Sequence, residues 1–113
     1  MGSEMCIRDR PWPVSGPALE VGRQALEDLN WARAARARLS ADAERMDDMM
    51  RAADARVEGG TSLFRLYHVT DARALQAQLA RHHIWSRTFP YSDNWLRLGL
   101  PPASGWQRLS DAL

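Results

Sequence analysis

The run Trp95-Leu96-Arg97-Leu98-Gly99-Leu100-Pro101 places one arginine inside an apolar, strand-forming stretch, and Ile84-Trp85-Ser86-Arg87 places another beside aromatic residues. A guanidinium group is a planar fork of donors that a carboxylate fills with two parallel bonds, so Arg97 and Arg87 suit capture of an anionic ligand. Burying either side chain among Trp85, Phe89 and Tyr91, or among Trp95, Leu96 and Leu98, is costly without a counter-charge. Only Asp93 is close in sequence. Spacing therefore leaves two readings level: an external anion, or an ion pair with a distant carboxylate such as Glu58 or Asp111.

Other chemistry has less support. The chain carries fifteen basic residues besides histidine, all of them arginine, so no lysine amine is on hand for covalent catalysis. His82 and His83 are adjacent and diverge on a helix, His68 falls on an expected strand, and no Cys, Asp or Glu stands at ligand spacing, so no metal site is expected. Gly59-Gly60-Thr61 lacks the glycine pattern and the lysine of a phosphate loop, and Ser15-Gly16 is not a nucleophile elbow. Arg33, Arg36, Arg38, Arg45 and Arg51 share one helical stretch with Asp42, Asp47 and Asp48. They read as a solvated face of ion pairs rather than a nucleic-acid stripe, because acids interrupt the run.

The elements that must position Arg87 and Arg97 follow from periodicity and punctuation. Pro11-Trp12-Pro13-Val14-Ser15-Gly16-Pro17 reads as an ordered loop, Ser15 capping a largely apolar helix that ends near Asp28 and calls for cover. From Trp31 to about Ala55 the composition is strongly helical, and Trp31, Ala35, Leu39, Ala43, Met46, Met50 and Ala53 lay one apolar stripe along it. Gly59-Gly60 is expected to stop the helix and open a turn. Leu63 to Val69, apolar on both faces, predicts a central strand. Thr70 or Asp71 caps a helix through about His82 with Ala72, Leu75 and Leu79 inward. Ile84 to Arg87 is a second strand, Phe89 to Asn94 a turn-rich loop, and Trp95 to Leu100 a third strand. A last helix from Ser104 or Gly105 buries Trp106, Leu109 and Leu113. The order gives an α+β fold, a small and mostly antiparallel sheet covered by helices.

Size and charge limit the rest. At 113 residues and 45 % hydrophobic content, the chain can build one modest core. A formal charge of +1 gives no strong field for nucleic acid or an anionic membrane, and no apolar run has membrane length. Cys6 is the single cysteine, so no intrachain disulfide forms, and a cytoplasmic location is expected. Residues 1–10 lack any helical or strand period. They resemble translated sequencing-adapter sequence, or else form a disordered terminus, and are set aside from fold reasoning together with Cys6. Residues 11–58 then supply the loop and long helices, and residues 59–113 a small α+β domain.

Several of these runs together resemble one family. Pro-Trp-Pro-Val-Ser-Gly-Pro-Ala-Leu at Pro11 to Leu19, the long helix, Gly-Gly-Thr-Ser-Leu-Phe-Arg-Leu-Tyr at Gly59 to Tyr67, Ile-Trp-Ser-Arg at Ile84 to Arg87 and Trp-Leu-Arg-Leu-Gly-Leu-Pro at Trp95 to Pro101 are similar to the C-terminal part of pyridoxal-phosphate enzymes of the aspartate aminotransferase fold. Within that group they look most like the threonine-phosphate decarboxylases of cobalamin biosynthesis. The histidinol-phosphate aminotransferases share similar arginine runs and are the alternative.

The resemblance implies the small domain of a fold-type-I enzyme with pyridoxal 5'-phosphate as cofactor, a phosphorylated amino acid as substrate, and a homodimer when full length. It assigns the substrate α-carboxylate to Arg97 and the substrate's anionic groups to Arg87, and names no cofactor ligand here. It further implies that the lysine-bearing large domain precedes Pro11, that this chain alone is inactive, and that apolar surface is left exposed. Two readings of other classes are a standalone arginine-rich module for nucleic acid and a helical interaction protein pairing through the Trp31 to Ala53 stripe.

Overall fold

The computed structural model describes residues 13–113; the expectations for residues 1–10, and for Pro11 and Trp12 of the lead-in loop, lie outside them. Two units make up the chain, Met1–Ala35 and Arg36–Leu113.

In the first unit helix α1 spans Gly16–Glu27, and the Ser15 hydroxyl accepts from the Ala18 amide at 3.4 Å, as its cap position requires. None of its residues is buried, although Leu19, Val21 and Leu26 are large and apolar, Leu26 being 82 % exposed. Asp28 caps the end of this helix, as expected, its amide donating to the Ala25 carbonyl at 3.4 Å, and it also opens the next one: its Oδ1 accepts from the Trp31 amide at 3.0 Å. Helix α2 spans Leu29–Ala52, beginning and ending a little earlier than its apolar stripe predicts. Ala35, Ala43, Met46 and Met50 of that stripe are buried, whereas Trp31 at the start and Ala53 just beyond the end are exposed.

The second unit holds a four-stranded antiparallel sheet. Its strands are β1 (Arg56–Gly60), β2 (Phe64–His68), β3 (Arg87–Phe89) and β4 (Ser92–Gly99), in the spatial order β1-β2-β4-β3. β2 is interior, as its two apolar faces predict. Helices α3 (Ala72–Arg81) and α4 (Trp106–Ala112), the latter led in by a 3-10 turn at Ala103–Gly105, complete the α+β arrangement. Among the described residues no helix is long and apolar enough to cross a membrane.

Three local expectations change. The glycine pair does not end the long helix. Asp54, in left-handed conformation at φ 62°, turns the chain while the Ala55 amide donates to the Met50 carbonyl at 3.0 Å, so the helix closes without glycine. Arg56 to Gly60 are thereby free to pair as β1, a strand that its lone Val57 hardly announces. Gly60 then makes the tight turn into β2: at φ 129°, a Cβ there would stand 2.2 Å from the Phe64 carbonyl oxygen. Ile84 to Ser86 are likewise outside the strand ladder. The Ile84 amide closes the end of α3 on the Leu79 carbonyl at 3.0 Å, and β3 begins only at Arg87. The stretch from Phe89 to Asn94 is a hairpin more than a loop, since β4 already starts at Ser92 and turns back on β3.

Side-chain alternation splits the sheet into two faces. Tyr67, Leu96 and Leu98 form one core with Met46 and Met50 of α2, Ala72 and Leu79 of α3, and Trp106, Leu109 and Ala112 of α4, all of them buried. Each buried side chain of Leu or Met size contributes roughly 1.5–3 kcal/mol, so this face holds the second unit together. Leu113 is only half-buried and packs at the margin of that core. The opposite face carries Phe64, Leu66, His68, Trp95, Arg97 and Arg87.

Candidate anion-binding face

β3 and β4 set Arg87 directly opposite Arg97 in register. Like charges placed directly opposite on a sheet repel, which makes the pairing unfavourable unless something answers it. Among the described residues nothing does: neither arginine forms an ion pair. The distant acids weighed as partners are engaged elsewhere, Glu58 accepting from Arg56 and Asp111 accepting from Gln107 at 2.8 Å. Each guanidinium instead lies over an aromatic ring, Arg97 at 4.8 Å from the Phe64 centroid and Arg87 at 5.5 Å from that of Phe89.

The two arginines line a concavity of about 450 Å³ at the β3 edge, with Phe64, Gln76, Trp85, Thr88 and Gly99 in its walls. Gln76 of α3 fixes the approach to β3. Its amide nitrogen donates to the Ser86 carbonyl at 3.1 Å, and its amide oxygen accepts from the Thr88 hydroxyl at 3.4 Å. Gln76 thus ties down the two neighbours of Arg87, Ser86 by its backbone and Thr88 by its side chain. Phe64 and Trp85 make its lining partly aromatic, Trp85 being 94 % exposed, and outside it Phe89, Tyr91 and Trp95 follow one another at centroid separations of 5.4 Å and 6.3 Å. Two guanidinium groups without an acid partner among the described residues, beside aromatic rings, are the kind of donors that an acidic small molecule would require.

On the core face a third arginine has the contrary arrangement. Asp47 Oδ2 accepts from Arg65 Nη2 at 2.6 Å, and its Oδ1 accepts from Arg65 Nε at 3.0 Å and from the Tyr67 hydroxyl at 2.7 Å. Burial alone would raise the Asp47 carboxyl, but the hydrogen bonds from Arg65 and Tyr67 and the charges of Arg65 and Arg51 outweigh it and hold the group below its ordinary value. Tyr67 is pushed far above the usual phenol range, by burial first and then by the neighbouring carboxylate.

Asp47 therefore does not pair with the helix arginines, as its place among them suggested. It stands in the buried stripe between Met46 and Met50, and an acid in an apolar stripe requires a partner from another element. Of the expected helix-face pairs Arg51 with Asp48 forms, at 3.1 Å. Arg45 instead covers the Trp106 ring at 4.3 Å.

No family model matches the chain. Over 104 residues, 91 % of its length, it is 39 % identical to a threonine-phosphate decarboxylase of Sinorhizobium sp and 38 % identical to one of Pseudomonas aeruginosa. The chain spans 31 % of the length of each of these relatives, so the similarity is to about a third of such a protein.

Proposed function

We propose that this chain is the substrate-carboxylate-binding part of a threonine-phosphate decarboxylase, a lyase of cobalamin biosynthesis that turns L-threonine O-3-phosphate into an aminopropanol phosphate. The observation that carries the reading is the cross-strand pair Arg87–Arg97, without acid partners among the described residues, within a chain similar to two decarboxylases of that name. Arg97 takes the α-carboxylate with two parallel bonds and so fixes the direction of the group that a decarboxylase releases. Arg87, directly beside it, meets the same carboxylate or the substrate phosphate.

In this reading the full-length enzyme is cytoplasmic, dimeric and dependent on pyridoxal 5'-phosphate. The residues present here do not fit that cofactor: the chain has no lysine to bond it, and its glycine pair makes the turn into β2 instead of a phosphate cradle. Its share of the work is to bind and orient substrate, and alone it is inactive.

The test is a chimera in which residues 13–113 replace the matching part of the Sinorhizobium relative. It is expected to release carbon dioxide from L-threonine O-3-phosphate without any keto-acid partner, and Arg97→Gln in it to lower kcat/KM by roughly ten- to a hundredfold. Turnover that requires a keto acid would replace the decarboxylase by an aminotransferase. Full activity in the Arg97→Gln chimera would remove the arginine from the site.

A further inference from the structure

Among the described residues no carboxylate holds Arg97, so something else must keep its long side chain from wandering across the face. The Phe64 ring, 4.8 Å from the guanidinium carbon, is what it rests on. The contact depends on register. Phe64 lies directly opposite Gly99, and Arg97 directly opposite Leu66, so Phe64 and Arg97 are diagonal neighbours on one face. A diagonal contact needs the ring to lie across the position opposite it, and that position has no side chain. A Cβ built on Gly99 would come within 3.9 Å of ring atoms Cδ1 and Cε1 of Phe64, ordinary contact for a methyl group but not for anything larger.

We propose that Phe64, lying over Gly99, is a positioning residue for Arg97: an aromatic shelf that presents the guanidinium to the incoming carboxylate without neutralising it. An acid in the same place would fix the side chain equally well and cancel the charge that the ligand needs. An aromatic face holds the cation through its quadrupole and leaves the in-plane N–H donors free. Phe64 is 49 % exposed and lies outside the buried core, so its ring is free to serve the neighbouring arginine. The proposal rests on the reading of Arg97 as a carboxylate ligand, and the experiment separates the two.

The full 113-residue chain, labelled with nitrogen-15, is titrated with O-phospho-L-threonine while the arginine Nε–Hε resonances are followed. Before any ligand is added, the Arg97 Hε resonance is expected to be displaced upfield by the Phe64 ring, to return towards the ordinary arginine position in Phe64→Leu, and to stay displaced in Phe64→Tyr. The dissociation constant is expected to rise roughly two- to fivefold in Phe64→Leu and to recover in Phe64→Tyr. Gly99→Ala is expected to behave as the parent chain and Gly99→Val as Phe64→Leu, because only the branched side chain dislodges the ring. Since Phe64 is half-exposed, the leucine variant is expected to keep the parent's thermal midpoint. An unchanged Hε resonance or an unchanged dissociation constant in Phe64→Leu, with binding lost in Arg97→Gln, overturns the shelf and leaves the carboxylate reading intact. Binding that survives Arg97→Gln undiminished overturns the carboxylate reading and the shelf's purpose with it.

Discussion

Arg65 and Arg97 sit on neighbouring strands one residue out of register, and alternation sends them to opposite faces of the same sheet. On the core face helix α2 brings Asp47 to Arg65, and the guanidinium is closed by two bonds to that carboxylate. On the open face Arg97 lies opposite Arg87, and each rests on one aromatic ring, Arg97 on Phe64 and Arg87 on Phe89. The difference is one of supply. A guanidinium whose fork is filled from within the chain is part of the architecture, whereas one supported only by a ring face leaves its donors open, as the proposed carboxylate ligand requires. Residue type and burial alone do not separate these cases, since both arginines are half-buried on β-strands.

The largest test of the contrast is Asp47→Ala. The side chains of Asp47 and Arg65 are 7 % and 17 % exposed, so removing the carboxylate strands a buried cation and the Tyr67 hydroxyl together. Loss of about 3 kcal/mol is expected in urea unfolding. A loss below about 0.5 kcal/mol would make Arg65 an ordinary surface arginine and erase the distinction between the faces.

Solution pH probes the same network from both sides. The folded Asp47 carboxyl lies below its unfolded value, so its contribution is fully present above about pH 4 and disappears as the pH falls through the folded value. The folded Tyr67 phenol lies above its unfolded value, so its contribution is present below about pH 10 and is lost as the unfolded chain ionises above that. Stability measured against pH should therefore show a plateau with two falling limbs. Asp47→Asn is expected to flatten the acid limb, and Tyr67→Phe the alkaline one. Arg97→Gln should leave both limbs in place, because among the described residues no carboxylate pairs with it.

The secondary structure and the central strand were legible because they rest on local signals: the Met46 and Met50 stripe, the Ser15 and Asp71 caps, the alternation through Leu63 to Val69. Arg97 and Arg87 were legible as candidates because an arginine among aromatic residues is conspicuous in any sequence. Their juxtaposition was not, since it depends on the β3–β4 register, which a strand placed at Ile84 to Arg87 would have missed by three residues. β1 was hidden for the opposite reason: its single apolar residue gives no period, and the helix ends through a left-handed aspartate where a glycine was expected. Asp47 was misread because ion pairing along a helix is a local rule, while burial of the Met46–Met50 stripe is a tertiary fact that outranks it. The Phe64 shelf combines both difficulties, needing a diagonal contact and an empty position across from it.

If the open face is reserved for an outside anion, removing one of its charges should not harm the fold. Arg97→Gln is expected to shift the unfolding free energy by no more than about 0.5 kcal/mol, and in the stabilising direction, since it relieves repulsion between directly opposed cations. Arg65→Gln, the same chemical change one register step away, should cost about 2 kcal/mol or more because it leaves Asp47 buried and unpaired. Equal losses in the two variants would show that Arg97 too is answered from within.

Arg45 offers the finest discrimination, because it lies over the Trp106 ring at 4.3 Å as Arg97 lies over Phe64, yet on the core side of the fold. If an aromatic face holds a guanidinium in place by itself, Arg45→Gln should cost about 0.5–1 kcal/mol, while Arg36→Gln, at an exposed helix position, should cost nothing measurable. The comparison removes ligand binding from the question, since Arg45 does not line the concavity that holds Arg87 and Arg97. A measurable cost at Arg45 supports ring stacking as sufficient to fix an arginine without an acid. No cost there would mean that the Phe64 contact is too weak to orient Arg97, and the positioning of that arginine would have to come from the bound anion itself.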